Sequence, residues 1–164
     1  MRITDRTPYA LIVQHEKYFT PESVAKLKAA AERKYGAMQD LEFGTFYNCA
    51  NGDFSHLGDM RRPTVLQVYW LLRFKDFVDE FAKAIKRLQI KQTTDEIKAS
   101  EGLLEVSWGE AILDFLQSKF NLHSYREAEK ITIGELLIAK RAAYNAETYR
   151  RKLSQLQTAK FRKK

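Results

Sequence analysis

The sequence predicts a mainly α protein: a single-domain helical bundle with a long, basic C-terminal helix protruding from it. Three observations carry that reading. Leu66, Trp70, Phe74, Phe77, Phe81, Ile85 and Leu88 recur at spacings of 4, 4, 3, 4, 4 and 3, the seam of an α-helix. Four Ser/Thr-x-x-Glu capping boxes stand ahead of apolar periodicities. Only seven Gly and three Pro interrupt 164 residues, which excludes collagen-like and Pro/Gly-rich disordered chains. With 45% hydrophobic residues the chain can build a core, and its length fits about one domain.

Residues 1–19 are expected to form an N-terminal arm, in which Tyr9–Val13 is a short apolar run. Thr20-Pro21-Glu22 then reads as a helix start: a capping hydroxyl, Pro at the first helical position and an acid at the positive end. Val24, Leu27, Ala31 and Tyr35 share a face, and Gly36 is a fitting stop, so a helix is predicted over 21–35. Residues 37–62 form a loop-rich middle, with turns at Asn51-Gly52-Asp53 and Leu57-Gly58-Asp59. Within it, Leu41–Tyr47 is compatible with either a short helix or a strand. Pro63 opens the long apolar helix, predicted over 64–90, with Val65, Val68, Tyr69 and Leu72 adding apolar area off the seam. A helix apolar nearly all round is buried, in its own core or in an oligomer.

The capping boxes Thr93…Glu96, Ser107…Glu110, Ser124…Glu127 and Thr132…Glu135 predict helices near 94–102, 108–120, 125–130 and 133–158. In the second, Trp108, Ile112, Phe115, Leu116 and Phe120 face one way. In the last, Ile133, Leu136, Leu137, Ala143 and Tyr144 do so at its start. At 1.5 Å per residue the last helix would run roughly 39 Å, longer than its short neighbours cover. Residues 1–149 are therefore assigned to the domain and 150–164 to a basic extension. Leu41-Glu42-Phe43-Gly44 and Ile131-Thr132-Ile133-Gly134 share a pattern, with Phe46 and Leu136 two residues further on, but four positions match readily by chance.

Charge is uneven. The chain carries +7 overall, yet residues 100–139 hold three Lys/Arg against seven Asp/Glu, and 140–164 hold nine against one. A basic contact face at the C-terminus follows. No apolar run approaches the roughly 20 residues of a membrane span, and no signal-peptide pattern opens the chain, so an intracellular protein without membrane contact is expected.

No catalytic constellation emerges. His15, His56 and His123 lack ligand-spaced partners, and Asp53, His56 and Asp59 read better as turn residues than as a cation site. The single Cys49 cannot form an internal disulfide or a Cys-based zinc site, and reads as a small buried hydrophobe. Phosphate-binding, nucleophile-elbow and zinc-protease motifs are missing from the sequence. The expectation is a protein that is not an enzyme and uses no cofactor or metal.

What remains is the C-terminus. Nine Lys/Arg in 25 residues, interleaved with Tyr144, Tyr149 and Phe161, suit nucleic-acid phosphates and bases. Helices 108–120 and 125–130 have helix-turn-helix proportions, although Glu127 and Glu129 make a poor recognition helix. The alternative is assembly. Arg150, Arg151, Lys152, Leu153, Leu156, Lys160, Phe161 and Arg162 combine cations with sparse apolar residues, a composition suited to docking on another chain.

The stretch Ser124-Tyr125-Arg126-Glu127-Ala128-Glu129-Lys130-Ile131-Thr132-Ile133-Gly134-Glu135-Leu136 resembles a pattern of small helical tailed-phage proteins, the neck-region connectors and tail assembly chaperones. The likeness is close over about 15 residues and loose over Pro63–Leu88 and Trp108–Tyr149; residues 1–60 carry none. The resemblance implies a non-enzymatic structural protein of a phage-like particle: a head–tail connector first, a tail chaperone second. It further implies homo-oligomers, portal or tail proteins as partners, and a place in the virion or host cytoplasm. It assigns no catalytic residue.

Overall fold

The computed structural model describes residues 20–100 and 106–162, with side chains through Ala159. The expected arm over 1–19 lies outside the described residues. The fold is mainly α, and among the described residues no strand is formed. The helices are α1 (Pro21–Tyr35), α2 (Phe43–Ala50), α3 (Val65–Arg87), α4 (Thr94–Ser100), α5 (Trp108–Phe120), α6 (Tyr125–Ala128) and α7 (Ile133–Arg162). Short 3-10 turns occupy Met38–Asp40 and Ser55–Leu57. Contacts gather into two compact units, residues 1–81 and 82–164.

In the first unit, α1 begins as its sequence dictates: Thr20 Oγ1 accepts from the Ser23 amide at 3.2 Å, with Pro21 at the first position. It stops at Gly36, whose φ of 83° lies where only glycine is comfortable. Leu27 and Ala31 bury against Val65 and Leu66 at the start of α3. The ambiguous segment 41–47 resolves as helix. α2 buries Phe43, Phe46 and Cys49, three residues apart each time, and its first residue has no side-chain cap. Its helicity comes from packing rather than from propensity.

The seam of α3 is the core of this unit. Leu66, Trp70, Phe74 and Phe81 are buried and Phe77 is half-buried. The Phe46 ring reaches three of them, at 5.6 Å from Phe74, 6.1 Å from Phe77 and 4.8 Å from Phe81. Off the seam, Val65 is buried, Val68 and Tyr69 are half-buried, and Leu72 stays 58% exposed, so this helix is not buried all round.

In the second unit, Ile112 and Leu116 of α5, Ala128 of α6, and Ile133, Leu136 and Ala139 of α7 form the buried core. Trp108 and Phe120 sit at the two ends of α5 and remain exposed, so only the middle of the predicted apolar face is buried. Three of the four capping boxes close completely: the Thr93, Ser107 and Thr132 amides donate to Glu96, Glu110 and Glu135, whose own amides donate to the hydroxyls. At the fourth, Ser124 accepts from the Glu127 amide, but the Glu127 carboxylate turns to the His123 amide instead.

The similar tetrads at 41–44 and 131–134 behave alike. Phe43 and Ile133 are each the first residue of a helix, and both are buried together with Phe46 and Leu136.

The capping carboxylates give a pH prediction. The cap amides chiefly hold Glu96 and Glu135 below the usual carboxylate value, and the Ser107 hydroxyl chiefly does so for Glu110. Because the folded values are depressed, the contribution is present above the unfolded value near 4.3 and is lost as pH falls through the folded values. Glu135→Gln retains the bond to the cap but not the titration, so its melting temperature should fall less steeply on acidification than the wild type's. Thr132→Ala removes the cap itself and should cost about 1 kcal/mol at neutral pH. A pH series of thermal melts checks both.

Candidate interaction surface

The eight residues expected to form the contact surface all belong to α7, which runs past its predicted end at 158 to Arg162. They do not behave alike. Arg151 folds inward and is only 31% exposed at its side chain. Its Nη2 donates to Glu96 at 2.9 Å, its Nη1 to the Lys91 carbonyl at 3.0 Å, and its Nε to Glu147 at 3.0 Å. It fastens α7 to the segment around α4. Arg150 is exposed and donates to Glu147 at 3.0 Å. From Lys152 to Ala159 every side chain is exposed, Leu153 at 41% and Leu156 at 62%. The free end of α7 therefore begins at Lys152, not at residue 150. Lys160, Phe161 and Arg162 continue the helix, and their side chains lie outside those described.

Helical geometry sorts the rest of α7 into two faces. Ile133, Leu136 and Ala139 are buried, and Lys140, Ala143, Tyr144, Glu147, Thr148 and Arg151 continue the same side half-buried. Lys140 holds its Nζ 3.8 Å from the centroid of the Phe115 ring, and burial lowers its ammonium pKa. At 100° per residue the opposite face carries Ile138, Ala142, Asn145, Tyr149, Leu153 and Leu156, all exposed. Ile138 at 70% and Tyr149 at 68% are the most exposed large apolar side chains among the described residues of the second unit. This outer stripe runs about 27 Å along the helix. Arg141 and Lys152 flank it, and among the described residues neither has an acidic partner within ion-pair distance.

The sequence singled out Leu153 and Leu156 but missed Ile138. That residue sits beside Leu136 and Leu137 in an apolar run, where only the helical phase separates the buried side from the exposed one.

A second surface of opposite sign lies on α5 and α6. Glu110 and Asp114, one turn apart, are exposed, and the Tyr125 hydroxyl donates to Asp114. The hydrogen bond to Asp114, with the nearby carboxylates, raises the Tyr125 phenol pKa. Glu127 and Glu129 follow, also exposed. Among the described residues none of these four carboxylates lies within ion-pair distance of a Lys or Arg. α6 is four residues long, shorter than the predicted 125–130, so it is too short to read a DNA groove as a recognition helix.

Elsewhere the chemistry is quiet. Cys49 is buried and its Sγ lies 3.5 Å from His56 Nδ1. Burial, with Asp53 nearby, pushes the thiol up to about 11, the opposite of an activated nucleophile. Partial burial, with Trp70 edge-on at 4.8 Å, lowers His56, while Asp53 opposes the shift. A cleft of about 290 Å³ between α1 and α3 mixes Lys28 and Arg73 with Glu32 and Glu80, which gives no convergent set of polar groups. Among the described residues no three His, Cys, Asp or Glu side chains group to hold a metal ion. No helix among them is long and apolar enough to cross a membrane.

Compared with protein families, curated proteins and solved structures, the chain matches none.

Proposed function

We propose that the chain is a non-enzymatic assembly protein whose C-terminal helix docks onto a neighbouring chain. The observation that carries this reading is the two-faced α7. One face is buried in the core of its own unit to Ala139 and half-buried as far as Arg151. The other leaves Ile138, Tyr149, Leu153 and Leu156 exposed beside Arg141 and Lys152, which have no ion-pair partner among the described residues. An apolar stripe of this kind, rimmed by charge, suits a protein–protein contact. The resemblance of residues 124–136 to connectors and tail assembly chaperones supports the setting: a phage-like particle, with the connector between head and tail as the first assignment. Portal or tail components are then its partners, and the virion or host cytoplasm its place.

The test is a chain ending at Arg151. Removing 152–164 takes away only exposed side chains among those described and leaves the Arg151 network in place. The monomer's stability should change by no more than about 0.5 kcal/mol, while co-assembly with the portal and tail proteins of the same particle should be lost. Unfolding of the shortened chain would place the helix end in the core and remove the reading.

The excess of cations over acids from residue 140 onward supports a second reading, nucleic-acid binding. It predicts that affinity for duplex DNA falls steeply with salt, and that each phosphate-contacting cation removed lowers the log–log slope by about 0.9.

A further inference from the structure

We infer that the outer stripe of α7 docks onto the acidic α5–α6 face of a second copy of this chain, head to tail. This rests on the docking-helix reading above and names the partner. The argument is one of complementarity within one sequence. Residues 140–164 carry nine Lys/Arg against one Glu, while 108–130 carry four acids, of which Glu110 and Asp114 lie one turn apart on the exposed side of α5, against Lys119, Arg126 and Lys130. Along α7, Arg141 and Lys152 border an apolar stripe; on α5, Asp114 accepts from Tyr125, itself 45% exposed, with Glu110 one turn away, and Glu127 and Glu129 follow exposed in the next segment. Among the described residues, Arg141 and Lys152 on one surface and Glu110 and Asp114 on the other have no oppositely charged side chain within ion-pair distance, and each surface offers apolar area to the other.

The two surfaces do not meet within one molecule. The stripe lies opposite the α7 face that carries Ile133 and Leu136, and Glu110 and Asp114 lie opposite the α5 face that carries Ile112 and Leu116. Both turn away from the same core. Pairing α7 with α7 of a second copy would bring Arg141 and Lys152 against their own kind, which like-charge repulsion opposes. Docking α7 on α5–α6 joins two different patches, so it is heterologous: each copy keeps one surface free for the next, and the chain of contacts either closes on itself or grows.

Sedimentation velocity on three full-fold proteins tests this. The wild type should form species larger than a monomer as concentration rises in low-salt buffer, and high salt should reverse them. The chain ending at Arg151 and carrying Ile138→Asp and Tyr149→Asp loses the whole stripe and keeps only the acidic face. The double variant Asp114→Lys/Glu129→Lys keeps only the helix. Each should sediment as a monomer alone. Mixed in equal amounts they should form a one-to-one dimer and nothing larger, because the pair contains a single intact interface. A full-length Ile138→Asp/Tyr149→Asp/Leu156→Asp variant in place of the truncation should behave the same way.

Wild type that remains monomeric at every concentration, or single-face variants that still assemble, would overturn the proposal. So would a mixture that gives no dimer. If the wild type is monomeric while the shortened chain keeps its melting temperature, self-docking fails and the docking helix survives with another partner. If the shortened chain unfolds, both fail. If duplex DNA instead titrates the helix equally well in the wild type and in Asp114→Lys/Glu129→Lys, with no self-association in either, the occupant is nucleic acid and the inference is overturned.

Discussion

Phe46→Ala is expected to cost about 3–5 kcal/mol, the loss typical of a fully buried ring whose cavity the surroundings cannot fill. Phe46 is 1% exposed and meets three rings of α3 within 6.1 Å. Removing it empties the space on which Phe74, Phe77 and Phe81 converge, and takes from α2 one of the three side chains that keep it helical. Against a typical total of 5–15 kcal/mol, this leaves the first unit marginal or unfolded. Trp70 is buried in this unit and Trp108 is exposed in the other, so a Trp108→Phe background lets Trp70 fluorescence follow urea unfolding of the first unit. Two comparisons sharpen the test. Phe54, half-buried and edge-on to Phe74 at 6.2 Å, should tolerate Ala at well under half the cost. Trp70→Phe, followed by far-UV circular dichroism because it removes the fluorescent reporter, should also be mild for a buried tryptophan, since the indole N–H it deletes has no hydrogen-bond partner among the described residues. A Phe46→Ala midpoint close to wild type would show that the aromatic cluster is not the core.

The α3 seam was legible because helical spacing recurs through seven large residues, a signal no other period reproduces. The ends of α1 were legible for a different reason: Thr20-Pro21 and Gly36 encode local backbone chemistry that holds whatever packs around it. α2 was not, since Phe-Gly-Thr-Phe-Tyr-Asn-Cys-Ala has modest helix propensity and no side-chain cap, and its state is decided by burial of Phe43, Phe46 and Cys49. The box at Ser124 was legible as a pattern, but whether Glu127 reaches Ser124 or His123 depends on the turn before it.

The candidate contact surface divides the same way. Composition placed cations and apolar residues at the end of α7, where Leu153 and Leu156 are exposed. Arg151 was grouped with them because a run of three basic residues looks uniform in sequence. Its partners Glu96 and the Lys91 carbonyl lie 55 and 60 residues away, a pairing that only the folded second unit creates. The acidic face was visible as a charge imbalance over 100–139; its exposure on α5, opposite Ile112 and Leu116, was not.

Nothing in the sequence sets Gln67 apart, yet its replacement carries the second large expected effect. It is a polar residue inside an apolar helix, 5% exposed. Its Nε2 donates to the Leu57 carbonyl at 2.9 Å and to the Asp59 carbonyl at 3.2 Å, while its Oε1 accepts from the Thr64 amide at 2.7 Å. One side chain thus fastens the turn around Gly58 to the start of α3 and satisfies three backbone groups. Gln67→Leu keeps the volume but orphans all three, at about 1–3 kcal/mol for each buried group left unpaired, so a loss of about 2–4 kcal/mol is expected with partial rescue by water. Loss of hydrogen-exchange protection at the Thr64 amide should accompany it. Gln67→Glu separates hydrogen bonding from packing. Its carboxylate can accept from Thr64 but faces two carbonyls, so its pKa should rise on folding. A carboxyl raised in the folded state destabilises above that raised value and recovers as pH falls through it. Gln67→Glu should therefore be the worse variant at neutral pH and approach or pass Gln67→Leu on acidification. Equal stability of the two across the pH range would mean that the Leu57 and Asp59 carbonyls do not depend on the amide.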